Sequence, residues 1–470
     1  MERRQRIAGR WIGSRWDPTR AGIVLVLVGA IGLAQHGVSR RGDAPPDDAP
    51  PPRGSAPVSS PAHGHRGPDV APGGAGPARF VEASYAAFRS ERAMEIVRFV
   101  DQFYRAPGND GFEKVIDRVI GELESLGFRP RDGSGPDRST PPDGSTPPDE
   151  RWLELEVIET ALGHDAWTPV RAAIRAIAPD LEGETLLGFE AAPDVDRTMS
   201  PVYSPSGRAT GRPCFQLADV EAGSILVTDQ PLGFMIRRAR ARGAAAVLSS
   251  RIAPFNVDPT DRRRHLDAIA YTKVPVGTEL LCFSISARAH ARIRDLATTH
   301  PDLQITVEAE SRLDARPLRT VVASIVGATR PQEAIAIACH VQEPGAVDNA
   351  SGVGGFIEAM RSVVTAIRSD AMARPDRTIS IIWGDEMAQS RVYLDHAERR
   401  TIAALSADMV GASTEQTGAI ALLERDPDPG AVEPLPPDVH TPWGSTPVPA
   451  DSLRPSGLSV VARCALIDVG

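Results

Sequence analysis

The chain has 470 residues, more than one hydrophobic core usually serves, so two folded units are expected. Hydrophobic residues make up 41% and charged residues 24%, the balance of a soluble globular protein. A net charge of −9, with no basic stripe interleaved with aromatics, argues against a nucleic-acid partner. The four cysteines, Cys214, Cys282, Cys339 and Cys464, form no CxxC pair. That spacing supports neither a zinc finger nor a disulfide-dense scaffold, and it reads as free thiols with one disulfide left open.

At the N-terminus, six arginines from Arg3 to Arg20 precede the uncharged run 21–35, and Arg40 and Arg41 follow it. A stable membrane span needs about 20 apolar residues, so this shorter run fits the core of a signal peptide better. No lipobox cysteine follows. Segment 1–41 is therefore a cleaved signal peptide or a retained membrane tether, and both place the protein outside the cytoplasm: periplasmic, secreted or membrane-anchored. A buried helix is the bland alternative. Residues 42–77 hold ten prolines with Gly, Ser, Asp and Ala and no apolar periodicity. Such a segment cannot bury enough surface to offset its ordering entropy and reads as an extended linker.

Folded sequence is expected from residue 78. Apolar residues from Val81 to Phe103 follow a helical period, and a second helix carries Phe112, Val115, Ile116, Val119, Ile120, Leu123 and Leu126 on one side. Residues 129–150 read as a polar loop, and Trp152 to Ile158 alternates as a strand does. This first folded part is expected to span 78–194.

Residues 195–312 read as a separate module. Ser224–Thr228 is a buried strand, Leu232–Arg242 a helix, and Ala244–Leu248 a second strand after a tight turn. Val274–Val276, Ser284–Ser286 and a helix over Ala287–Leu296 complete a small α/β unit. The helix followed by Gly243-Ala244-Ala245-Ala246-Val247 resembles the protease-associated domain; a generic α/β insertion is the alternative.

From residue 313 the pattern changes to strand, loop, helix, strand. Thr320–Val326, Ala334–Cys339 and Thr378–Trp383 are apolar, β-branched runs suited to a sheet covered on both faces. Ser351–Val364 is helical, and Thr401–Leu405 leads a fourth strand. The fold class is α/β: a mostly parallel mixed sheet with helices on both faces, plus the small inserted α/β module.

Three segments put metal-capable groups just past buried strands. They are His340 with Asp348 beyond it, Asp385-Glu386, and Asp408. Imidazole with carboxylate is a ligand set that zinc accepts in a catalytic site. Taken singly, each has an ordinary explanation: a hydrogen-bonded histidine, a helix cap at Asp348, a solvated loop at Asp385-Glu386. Their recurrence at successive strand tips is harder to explain by caps. Asn349-Ala350-Ser351 matches a glycosylation sequon, read as coincidental here.

His340 with GAVDNASGVGGFIEAMR, RTISIIWGDE and ADMVG together resemble the co-catalytic zinc aminopeptidase family (peptidase family M-twenty-eight), over about 80–128 and 318–411. The resemblance implies two zinc ions. His340 would bind one of them and Asp348 would bridge the pair. Glu386 would bind the other, and Asp408 would complete the site of the first. Asp385 stands where the family has a glutamate general base, and the shorter side chain reaches less far. The implied reaction is attack of a metal-activated water on an N-terminal peptide bond of a peptide or protein substrate. The family's distal histidine has a candidate in His440, only 32 positions after Asp408, with no Ser-Asp-His stretch between, as if an internal segment were missing. His396 is a remoter candidate. Residues 450–468 resemble the family's last helix. The expected function is a zinc-dependent exopeptidase of aminopeptidase type. The alternatives are carboxypeptidase or glutaminyl cyclase chemistry on the same fold, or an impaired peptidase-like binding or scaffold protein.

Overall fold

The computed structural model describes residues 78–131, 151–179, 181–188, 197–252 and 266–411. The N-terminal apolar run, the 42–77 linker, His440, Cys464 and the helix expected at 450–468 lie outside these residues. Among the described residues no helix is long and apolar enough to cross a membrane.

The folded part opens with α1 (Ala78–Ala87), α2 (Ser90–Val100) and α3 (Asp110–Ser125). Asn109 caps α3, its side chain accepting from Phe112 N at 2.9 Å. Strands β1 (Arg129–Pro130) and β2 (Leu153–Thr160) follow. Next come β3 (Ala166–Ala178), β4 (Leu181–Gly188), β5 (Gly207–Gly211), β6 (Pro213–Cys214) and β7 (Ile225–Thr228). Helix α4 (Leu232–Ala241), β8 (Ala246–Ser249), β9 (Leu281–Ser284), α5 (Ala287–Thr299) and β10 (Gln304–Asp314) complete that stretch. The last part holds β11 (Leu318–Ile325), β12 (Arg330–His340), α6 (Ala350–Arg368), β13 (Arg377–Gly384), α7 (Gln389–His396) and β14 (Arg400–Ser406).

The larger unit is built on a six-stranded mixed sheet in the order β1-β2-β11-β13-β12-β14. β12 lies between β13 and β14 and runs parallel to both, whereas β11 is antiparallel to β2 and β13. Alternation sorts the side chains to two faces. Val321, Ala323, Ile325, Ile337, Cys339, Ile379, Ile381 and Trp383 pack with α2, α3 and α6. Val322, Ala336 and Ile382 turn the other way, against Val392 and Tyr393 of α7. Helix α6 crosses α2 closely because Gly354 has no side chain: a Cβ there would stand 2.6 Å from Ala93 O.

The second unit has two sheets. One is antiparallel, β4-β3-β10-β5, and the other is parallel, β6-β7-β8-β9. Ile174, Ile305 and Val307 of the first face Ile225, Val227, Leu248 and Phe283 of the second in one core. The far side of the parallel sheet, Leu226, Val247 and Cys282, is covered by Leu232, Met235, Ile236 and Ala239 of α4. The boundary expected at 195 therefore falls inside this unit, since β3 pairs with β10 from Ala166↔Asp314 to Ile177↔Gln304. Two local expectations also change. Arg129–Pro130 is a strand paired with Glu154 and Leu155 rather than loop, and around Val274 there is only a bridge, Val202↔Lys273. Cys214, Cys282 and Cys339 are free thiols.

The two units meet through Tyr104, Ala106, Trp167 and Val202, joined by Tyr203 and Tyr271. Tyr104 meets Trp167 and Tyr271 edge-on, with ring centres 6.1 and 5.9 Å away.

Candidate metal centre

Because β12 runs parallel to strands on both sides, three carboxyl-terminal strand ends lie side by side. His340 is level with Gly384 of β13, and Ala338 is level with Ser406 of β14. Asp385 and Asp408 come one and two residues beyond their strands. This is where open α/β sheets place ligands.

The structure brings His340, Asp348 and Asp408 together, with one ligand-type atom from each inside a 4.8 Å span. His340 Nε2 is 3.1 Å from Asp408 Oδ1 and 3.4 Å from Asp348 Oδ1. Its Nδ1 donates to Gln342 O at 3.1 Å, so in the neutral ring Nε2 carries the lone pair that a cation needs. His340 is 3% exposed. Burial opposes its charged form, but the hydrogen bond and charge of Asp408, with Asp348 and Glu386 nearby, lift it to about 9.

The carboxylates around it are under-compensated. Burial and the charge of Asp408 raise Asp348, while burial and Asp348 raise Glu343. Asp408 goes the other way: burial alone would raise it, but the hydrogen bond and charge of His340 hold it below its usual range. Asp348 Oδ1 is sealed from solvent and has no hydrogen-bond partner. A buried, orphaned carboxylate oxygen facing an imidazole fits a divalent cation, and the oxygen and nitrogen donors suit zinc.

Asn349 ties these segments together. Its Nδ2 donates to His340 O at 3.3 Å and Ala407 O at 3.2 Å, and its Oδ1 accepts from Gly352 N and Met409 N. Fully buried, it caps α6 and fixes the approach of β12 and β14 at once. The Asp348–Asn349 peptide is cis.

The remaining expected residues stand as follows. Glu386 is outside the three-residue cluster; its Oε2 accepts from Gln342 Nε2 at 3.0 Å, and its N donates to Gln342 Oε1 at 2.7 Å. Asp385 is 8% exposed, and its carboxyl is raised by burial and by Glu386, with Lys273 of the second unit opposing. His396 ends α7, its Nδ1 donating to Val392 O at 2.8 Å, and takes no part. Among the described residues one such cluster is gathered, not two complete sites. The sequence reading missed Gln342, Glu343 and the buried contacts of Asn349. Only Asn349 left a local signal, being a cap residue before a small-residue helix start.

Residues 320–430 match the sequence profile described as Peptidase family M28. No curated protein matches the chain. Among solved structures, an aminopeptidase from Aneurinibacillus sp. strain AM-1 is 16% identical, with 70% of this chain and 72% of that one covered and a TM-score of 0.41. A zinc aminopeptidase from Bacillus subtilis is 15% identical, covering 70% and 71%, with a TM-score of 0.43. A peptidase M28 precursor from Shewanella amazonensis SB2B is 18% identical, covering 70% and 72%, also at 0.43. By that profile match, residues 320–430, which carry His340, Asp348, Asp385 and Asp408, are similar to peptidase family M28.

Proposed function

We propose that the protein is a zinc-dependent exopeptidase of aminopeptidase type, acting on peptide or protein substrates outside the cytoplasm. The observation that carries this is the meeting of His340, Asp348 and Asp408 at adjacent strand ends, with Asp348 Oδ1 buried and unpartnered. His340, Asp348 and Asp408 would hold one zinc, and Asp348 and Glu386 would hold a second with a ligand beyond the described residues, for which His440 is the candidate. Zinc bound there supplies Lewis acidity, polarising a carbonyl and making water acidic.

The protein's own groups do the rest. Gln342 O fixes the His340 ring through Nδ1, so the direction of Nε2 is set before any substrate arrives. Gln342 holds Glu386 by side chain and backbone together. Asp385, buried and raised above the usual carboxylate range, can take a proton from the attacking water and return it to the leaving amine. The second unit acts on this residue through charge, Lys273 favouring the ionised Asp385. The protease-associated-like reading of this unit, and the tether through 21–35 that would hold the enzyme at a membrane, belong to the same proposal.

A second reading, an impaired peptidase-like binding protein, draws on Asp385 standing where the family has a longer glutamate. Metal analysis combined with hydrolysis of an aminoacyl chromogenic amide separates the two. Near two zinc per chain with chelator-sensitive release supports the peptidase. Bound zinc without turnover supports the binding protein, and no zinc at all rejects both uses of the site. Cleavage only of N-terminally blocked peptides redirects the activity to another amide hydrolase.

A further inference from the structure

We infer that Arg105 is the positioning residue for the metal centre, clamping the loop between His340 and Asp348 so that its ligands converge. Arg105 lies in the breaker between α2 and α3, outside every motif that defines the site, and its side chain is fully buried. Its Nε donates to Val341 O at 2.8 Å and its Nη2 to Gly345 O at 2.8 Å. Its Nη1 donates to Val100 O at 2.7 Å and Phe103 O at 3.0 Å. One guanidinium thus joins the end of α2 to two points of the loop. Val341 directly follows His340, and Gly345 precedes Asp348 by three residues.

The main chain repeats the link, because Glu343 N donates to Arg105 O at 2.8 Å. Glu343 is held at φ +85°, a conformation that non-glycine residues adopt only when their surroundings impose it. The loop is therefore shaped from outside rather than by its own preference.

The choice of arginine has a chemical reason. Five donors in a rigid fork can serve four carbonyls in fixed directions, which an ammonium on a flexible stem cannot. Spending those donors on main-chain carbonyls leaves the Asp348 and Asp408 carboxylates free for a cation. Burial lowers the guanidinium to about 10, and the charges of Asp101 and then Asp348 oppose that shift.

This inference rests on reading the cluster as a zinc site, so the test begins with wild type. Zinc is titrated into chelator-treated wild type, Arg105→Lys, Arg105→Met and Val119→Ala, a core variant in α3 that makes none of the Arg105 hydrogen bonds. Melting temperatures are taken without metal, and cobalt absorption spectra at saturation. The expected result is that Arg105→Lys melts within a few degrees of wild type yet binds zinc about tenfold or more weakly, with an altered cobalt spectrum. Arg105→Met should be weaker still; if it does not fold, Arg105→Lys carries the test. Zinc affinity of Arg105→Lys within about twofold of wild type, with an unchanged cobalt spectrum, overturns the inference. So does an equal loss in Val119→Ala, which would make the effect one of general stability. Wild type that takes up no zinc overturns the metal reading itself, and the inference with it.

Discussion

At its N-terminal end, β12 carries Glu333 between two arginines, accepting from Arg377 Nε at 2.7 Å and Arg400 Nη2 at 2.6 Å, with Arg330 within 3.9 Å. At its C-terminal end, Asp348, Asp408 and Glu343 crowd round a single histidine, and Asp348 Oδ1 has no partner. The same sheet thus matches an acid with excess cations at one end and leaves acids in excess at the other. Folding alone gives no reason for the second arrangement, because each uncompensated, partly buried carboxylate opposes it. Glu358 of α6 makes the contrast sharper: fully buried, it is hydrogen-bonded by Arg361 and by Arg89 N at 2.7 Å. Glu358 is thus neutralised within the fold, whereas the carboxylates round His340 lack a matching cation.

The comparison can be broken most decisively at the acidic end. His340→Ala should abolish zinc binding and lower peptidase kcat/KM by about 10^3-fold, since several kcal/mol of transition-state stabilisation depend on the metal. Retained stoichiometric zinc would remove the basis for the contrast. Asp385→Ala should keep its zinc and lose about 10^2- to 10^4-fold in kcat, whereas Asp385→Glu should raise kcat if reach limits the present base; steady-state kinetics on an aminoacyl amide decide both.

The smallest effect belongs to the matched end. The Arg377 hydrogen bond, followed by that of Arg400, holds Glu333 below the usual carboxylate range. Its contribution is complete above the unfolded carboxylate value, about 4.3, and is lost as pH falls through the lower folded value. Glu333→Gln should cost only about 0.5–1 kcal/mol at neutral pH, because Arg400 is largely solvated and screening is strong. Chemical denaturation from pH 7 downward should show the variant's deficit at pH 7 and its steady shrinkage as the medium becomes more acid.

Much of the catalytic-end sheet was legible because its strands are buried on both faces. The buried parts of β11, β12 and β13 are largely apolar and β-branched, and a polar group that follows such a run stands at a strand end. That is why His340, Asp385 and Asp408 could be picked out from local pattern alone. The domain boundary was not legible for the opposite reason. β3 interleaves Arg171 and Arg175 with alanines, and its partner β10 lies more than a hundred residues further on, so no local periodicity reveals the pair. Arg105 was invisible as well. A single arginine in a loop looks solvated until the fold closes over it, and its bonds go to main-chain carbonyls, which sequence does not distinguish. Asn349 was noticed only as a sequon, although burial denies it to any glycan.

The way the chain leaves and re-enters the large sheet has a practical corollary. Thr160 of β2 stands opposite Leu318 of β11, and Ala166 stands opposite Asp314, so both crossings between the units are paired strands lying next to each other. Both covalent links between the units therefore lie side by side, and a two-residue hairpin turn could bridge Thr160 to Leu318 in register. This arrangement lets evolution or an engineer exchange the appended lobe as a cassette, provided the replacement also covers Tyr104 and Ala106.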